Sequence, residues 1–160
     1  MTDALENKNL PKMTLPVFPG DEISIPEDFK GQWTILYFYP KDDTPGCTKQ
    51  ACGYTDQYAK FKKAGVKLFG VSMDDLKSHE KFQKKFSLSF PLISDPDHKL
   101  ADALGVYGEK SMYGKKYFGL NRDTFLIDSK GKIRKVWRKV KPEETVNETY
   151  NTVMEFKNKE

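Results

Sequence analysis

Three stretches of the chain are almost continuously apolar: WTILYFY (33–39), VKLFGVS (66–72) and the shorter FPLIS (90–94). β-Branched and aromatic runs without polar alternation predict strands covered on both faces. Two later runs, TFLID (124–128) and IRKVWRK (133–139), flank Ser129-Lys130-Gly131-Lys132 and predict a hairpin whose turn uses the glycine for positive φ. Extended pieces around 14–18 and 22–25 predict a small N-terminal hairpin.

The intervening segments carry helical periodicity. Cys47, Ala51, Tyr54, Tyr58 and Phe61 recur at alternating spacings of four and three, which is one face of a helix over 47–64. Leu76, Phe82 and Phe86 stand among lysines in a second helix over 75–86. Asp95-Pro96 reads as an N-cap with proline at the first helical position, and Gly105 stops that helix after Leu104. Pro142 opens a last helix, with Val146, Tyr150 and Val153 on one face. SMYGKKYFG (111–119) reads as a tyrosine-rich surface loop, by default a loosely packed connector, with bordering the site or contacting a reductase as the alternatives. Strands alternating with helices imply an α/β domain of thioredoxin-like proportions: a central mixed sheet flanked by helices on both faces, with an extra N-terminal hairpin. Ligands in such sheets gather at the carboxyl ends of strands, where residues 40–47 fall.

At 160 residues the chain fits one domain, taken as 1–160, with a sizeable core. Charged residues at 31% and aromatics at 13% argue against disorder. No apolar run approaches the roughly 18 residues of a membrane span, so no membrane partner is expected. MTDALENKNLPKM carries Asp3 and Glu6 and no apolar segment, which fits neither a secretory signal nor an acid-poor transit peptide. The expected compartment is the cytoplasm, where a close cysteine pair is more often catalytic or metal-binding than a staple. The net charge of +4 is mild, and seven of the basic residues lie in KGKIRKVWRKVK (130–141). That segment reads as an edge strand guarded by charge rather than a nucleic-acid face.

The only two cysteines, Cys47 and Cys52, lie in PKDDTPGCTKQAC (40–52). Cys47 stands where a helix begins, and the free N–H groups there favour a thiolate. Pro45 stiffens the approach, Gly46 lets the backbone fold close to the sulfur, and the Thr44 hydroxyl is within reach of a thiolate or a bound oxygen. Five residues apart on a helix, the two thiols are about 140° out of phase and about 7.5 Å apart along the axis. A disulfide tolerates about 7 Å between Cα atoms, so bonding requires local unwinding, for which Gly53 is well placed. The pair therefore reads as one that cycles between a reduced, helical state and an oxidised, unwound one. Alternatives remain at this level. Cys47 can be a small core residue. Zinc would need His79 and His98, which are far apart and read as exposed helix residues without a role. The C-x-x-C of a dithiol exchanger is absent, and a copper carrier would need a closer thiol pair.

YFYPKDDTPGCTKQAC resembles the peroxidatic motif of peroxiredoxins, P-x-x-x-T-x-x-C, here Pro40, Thr44 and Cys47. The second cysteine five residues on is similar to the Bcp/PrxQ branch, the bacterioferritin comigratory proteins. GVSMDD (70–75), FPLISDPDHKLADALGVYGEK (90–110) and NRDTFLIDSKGKI (121–133) are also similar to segments of that branch. The resemblance implies a thioredoxin-like fold and a thiol-dependent peroxidase acting on hydrogen peroxide and organic hydroperoxides. In it Cys47 becomes a sulfenic acid, Cys52 resolves it as an intramolecular disulfide, and thioredoxin or a similar dithiol reduces that bond. It further implies that Arg122 faces the peroxidatic sulfur, that Thr44 orients sulfur and peroxide, and that Pro40 shields the site from water. No cofactor or metal and a monomeric state are expected.

Overall fold

A computed structural model describes residues 3–159 of the chain. The terminal residues 1, 2 and 160, included in the expected domain, lie outside the described residues. The elements follow in the order β1 (Met13–Phe18), β2 (Glu22–Ile25), a 3-10 turn (Glu27–Phe29), β3 (Trp33–Phe38), α1 (Pro45–Lys63), β4 (Val66–Ser72) and α2 (Leu76–Phe86). Then come β5 (Leu92–Ser94), α3 (Lys99–Ala103), β6 (Tyr107–Met112), β7 (Lys115–Leu120), β8 (Thr124–Ile127), β9 (Ile133–Trp137) and α4 (Thr145–Asn158).

Among the described residues, seven strands form one sheet in the order β2-β1-β5-β4-β3-β8-β9. The centre is parallel, β3 against β4 and β4 against β5, while β1, β8 and β9 join antiparallel. This is the mixed sheet expected, and the early hairpin extends it through Val17 opposite Ile93. Strand β3 is buried at every position because both of its faces are covered. Trp33, Ile35, Tyr37 and Tyr39 point to the layer holding α1, α2 and α4, whereas Leu36 and Phe38 meet Phe125, Leu100 and Leu104 on the other side.

The back of α1 is fastened by rings. Tyr54 stacks on Tyr37 with centroids 4.8 Å apart, and Phe61 meets Tyr150 of α4 edge-on at 5.3 Å. Tyr58 packs on Phe90 at 6.1 Å. Such pairs add roughly 0.5–1.5 kcal/mol each beyond the area they bury. All three anchors lie at or beyond the middle of the helix.

Several expectations need correction. Residues 111–119 are not a loop but the greater part of the β6–β7 hairpin, paired from Tyr107↔Leu120 to Met112↔Lys115. Its two-residue turn, Tyr113-Gly114, has positive φ at both positions, as a type I′ turn requires. Asp95-Pro96 does not open α3, which begins at Lys99. His98 sits at φ 47° and breaks the backbone between them, and Asp95 reaches forward to accept from the Ala101 amide at 2.9 Å. Residues 142–144 form a turn, and α4 starts only at Thr145. The basic stretch 130–141 does lie at the β9 edge of the sheet, as a charged edge strand would, and its two arginines are engaged in structure. Arg138 binds Asp3 and Asp123, each at 2.9 Å, while Arg134 covers the rings of Trp33 and Phe156.

Candidate active site

Chain direction brings the site together at one end of the central strands. After β3 the chain crosses Pro40-Lys41-Asp42-Asp43 and enters α1 with Thr44 at the N-cap, in extended conformation, and Pro45 at the first helical position. A proline there lacks only an N–H that the helix could not use. Cys47 falls in the first turn, its side chain 1% exposed, so its sulfur lies beside unpaired helix N–H groups and out of bulk water.

Arg122, in the connection between β7 and β8, reaches this sulfur. Its Nη2 donates to Cys47 Sγ at 3.3 Å, and its Nη1 donates to Gln50 Oε1 at 2.8 Å. Gly46 makes room for the guanidinium, since a Cβ there would lie 3.1 Å from Arg122 Nη2. Arg122 and Pro40 line an open groove of about 420 Å³, together with Lys110, Asn121 and Val140. The Lys110 ammonium donates to the Leu120 carbonyl at 2.8 Å. Burial, and then the charge of Arg122, pull its pKa below the usual lysine range.

The Thr44 hydroxyl donates to the Lys41 carbonyl at 2.9 Å and does not cap the helix. Its proton is therefore spent within the loop, and its lone pairs are what it can offer a ligand. Cys52 lies further along α1, half-buried, and both thiols are free. Burial, then the Asp56 carboxylate, push the Cys52 thiol up from its ordinary value. Beside it Gly53 lets α4 come close, since a Cβ at Gly53 would stand 3.2 Å from Val146 Cγ2.

Of the residues picked from sequence, Pro40 and Arg122 line the groove, Cys47 lies buried behind the Arg122 guanidinium, Thr44 stands at the N-cap position of the helix that carries it, and Cys52 stands apart on the same helix. Gln50 was missed, although it sits three residues after Cys47 and is fully buried on an otherwise apolar face; Lys110 gave no such signal. His79, read as exposed, is buried: it shares a stripe of α2 with Phe82, its Nδ1 lies 2.7 Å from Asp42 Oδ2, and its Nε2 lies 3.0 Å from the Ile93 carbonyl. His98 pairs with Asp102 at 2.7 Å and stacks on Tyr107. Among the described residues no three His, Cys, Asp or Glu side chains gather where a metal could be held. No helix of the described residues is long and apolar enough to cross a membrane.

A sulfur kept out of water and approached by a permanent cation that itself lines an open groove suits a thiol-dependent peroxidase. Residues 7–136 match the AhpC/TSA family, and the chain belongs to that family. Within it the chain is similar to the putative peroxiredoxin bcp of Coxiella burnetii, 50% identical over 131 residues, covering 82% of this chain and 86% of that protein. It is also similar to peroxiredoxin Bcp of Bacillus subtilis, 42% identical over 149 residues and 93% and 94% of the two chains. In structure it matches the bacterioferritin comigratory protein of Xanthomonas campestris, with a TM-score of 0.85, 38% identity, and coverage of 90% and 91%. The fold is thus the thioredoxin-like one of the Bcp/PrxQ branch, and the chain is a peroxidase that consumes a peroxide and a thiol reductant.

Proposed function

We propose that Cys47 is the nucleophile and Cys52 the resolving thiol of this peroxidase. The Cys47 thiolate attacks one peroxide oxygen, the O–O bond breaks, and the departing oxygen leaves with a proton as water or an alcohol. The sulfur is oxidised to a sulfenic acid. The observation that carries this reading is the 3.3 Å contact of Arg122 Nη2 with a buried Cys47 Sγ. A guanidinium there stabilises the thiolate and the charge developing on the departing oxygen. Thr44 serves as acceptor for the peroxide O–H, because its own proton goes to Lys41. Pro40 forms the rim that keeps water from the sulfur.

Resolution follows when the first turns of α1 unwind. The Cys52 thiolate then attacks the sulfenic sulfur, hydroxide leaves, and an intramolecular disulfide forms. A dithiol such as thioredoxin returns both thiols by exchange. Hydrogen peroxide and organic hydroperoxides both serve as substrates, the protein acts as a cytoplasmic monomer over one domain of residues 1–160, and the 130–141 stretch does not bind nucleic acid. Intact mass after one equivalent of peroxide tests the cycle. The wild type should lose two hydrogens, and Cys52→Ser should gain one oxygen. Full dithiol-dependent turnover by Cys47→Ser would overturn it.

A further inference from the structure

Asp42 is an acidic side chain only 6% exposed, in the loop that carries Pro40 and Thr44. Its carboxylate accepts hydrogen bonds from the Tyr39 hydroxyl, from Ser78 Oγ at 2.8 Å and from His79 Nδ1 at 2.7 Å. The other nitrogen of His79 faces the Ile93 carbonyl at 3.0 Å, so the ring bridges the loop and strand β5. Three elements are tied to the loop this way: the end of β3, the first turn of α2 and strand β5.

The connection to the site runs through a single peptide plane. The Asp42 amide N–H donates to Asp74 Oδ2 at 2.8 Å, and Asp74 Oδ2 also accepts from Ser72 Oγ at 2.7 Å. The carbonyl of that same peptide belongs to Lys41, and it is the acceptor that takes the Thr44 hydroxyl proton. Rotation of this plane would withdraw the acceptor from the Thr44 hydroxyl and leave its orientation unfixed. The next residue, Asp43, has φ 56°, a left-handed conformation that aspartate enters more readily than most non-glycine residues. Outside the loop, its Asp43–Lys85 ion pair is exposed, which leaves the buried ties as the stronger restraint.

Resting on the reading of Cys47 as nucleophile, we propose that Asp42 and His79 are positioning residues for the peroxide. The pair holds the Lys41–Asp42 peptide so that Thr44 accepts from the substrate while Arg122 donates, which lines the O–O bond up with the sulfur. Neither residue touches the reacting atoms. The thiolate itself is held by Arg122 and the helix terminus and does not depend on the pair, so attack on a peroxide and attack on a simple alkylating agent respond differently.

Two substitutions separate the two ends of the ring. In His79→Asn the side-chain amide keeps a donor for Asp42, and in His79→Gln it keeps one for the Ile93 carbonyl. The rate of sulfenic acid formation with hydrogen peroxide, the rate of Cys47 alkylation by iodoacetamide and the melting temperature are measured for each. We expect His79→Gln to lose about tenfold in the peroxide rate with alkylation within about twofold, and His79→Asn to recover most of the loss at a similar melting temperature. If neither His79 variant folds, Asp74→Ala, which frees the same peptide from its other side, should show the same peroxide-selective loss. Wild-type peroxide rates in His79→Gln, or in Asp74→Ala where that variant decides, overturn the proposal, as does a parallel fall in peroxide and alkylation rates. An inert Cys47→Ser alongside such a result would sink the positioning pair alone, whereas an active Cys47→Ser would sink the nucleophile assignment.

Discussion

Gln50 Oε1 holds Arg122 Nη1 at 2.8 Å, so that the other arm of the guanidinium is left pointing at the Cys47 sulfur. The amide nitrogen of Gln50 is buried without a partner, which marks this side chain as kept for its oxygen. Gln50→Leu should leave Arg122 in place but loosely aimed, and slow sulfenic acid formation about tenfold, while Arg122→Lys, which loses the fork, should slow it about a hundredfold. Stopped-flow fluorescence on peroxide mixing, with Trp33 and Trp137 as reporters, would give both rates.

Gly53→Ala tests how readily α1 opens. Alanine favours the helix by about 1 kcal/mol over glycine, and the added Cβ meets a Val146 methyl at 3.2 Å, which that half-open side of α4 can accommodate. Disulfide formation should slow about fivefold with the first oxidation unchanged. Quenched samples read by mass spectrometry would then show more sulfinic acid at high peroxide, because the sulfenic acid waits longer.

The raised Cys52 thiol predicts the pH dependence of the second step. A thiol titrating above its ordinary range is mostly protonated at neutral pH, so the rate of disulfide formation should climb through pH 8 and 9 without levelling. Asp56→Asn removes the second cause of the shift, after burial, and should move the whole profile to lower pH. An unchanged profile would mean that Cys52 reacts only after leaving the neighbourhood of Asp56.

Asp3 ties the N-terminal segment to the β9 end of the sheet. The hydrogen bond from Arg138 holds its carboxyl below the usual carboxylate range, against the opposing effect of burial. Its contribution is complete above the unfolded carboxylate value near 4 and is lost as pH falls through the lower folded value. Asp3→Asn should therefore be slightly less stable than wild type at pH 7, by less than about 1 kcal/mol for so open a pair. The difference should close in acid unfolding experiments as pH falls through the lowered Asp3 value, below the ordinary carboxylate range.

Much of this arrangement was legible in the chain because burial leaves a period. The spacing of Cys47, Ala51, Tyr54, Tyr58 and Phe61 gave the packed face of α1, and the unbroken run before Pro40 gave a strand covered on both sides. Arg122 was reachable only through family resemblance, since no local pattern links it to a cysteine 75 residues away. The β6–β7 hairpin escaped because most of its residues are exposed on both faces, with Tyr113 98% and Phe118 65% exposed, so no core imposed alternation on it. His79 was hidden among lysines, although its spacing from Phe82 and Phe86 marks the buried stripe. Its role depends on Asp42, and a carboxylate in a loop gives no sign in sequence of which distant side chain will cover it.

The rings behind α1 set a limit on its motion. Unwinding that begins at Pro45 passes two cysteines and Gly53, then meets Tyr54 stacked on Tyr37 and, beyond it, Tyr58 and Phe61 fixed to Phe90 and Tyr150. The helix thus has a tether as well as a free end. The travel allowed to Cys47 is measured by the eight residues between the proline and the first ring. A disulfide closed within that length leaves the rest of the molecule standing as the template on which the reduced thiols find their helix again.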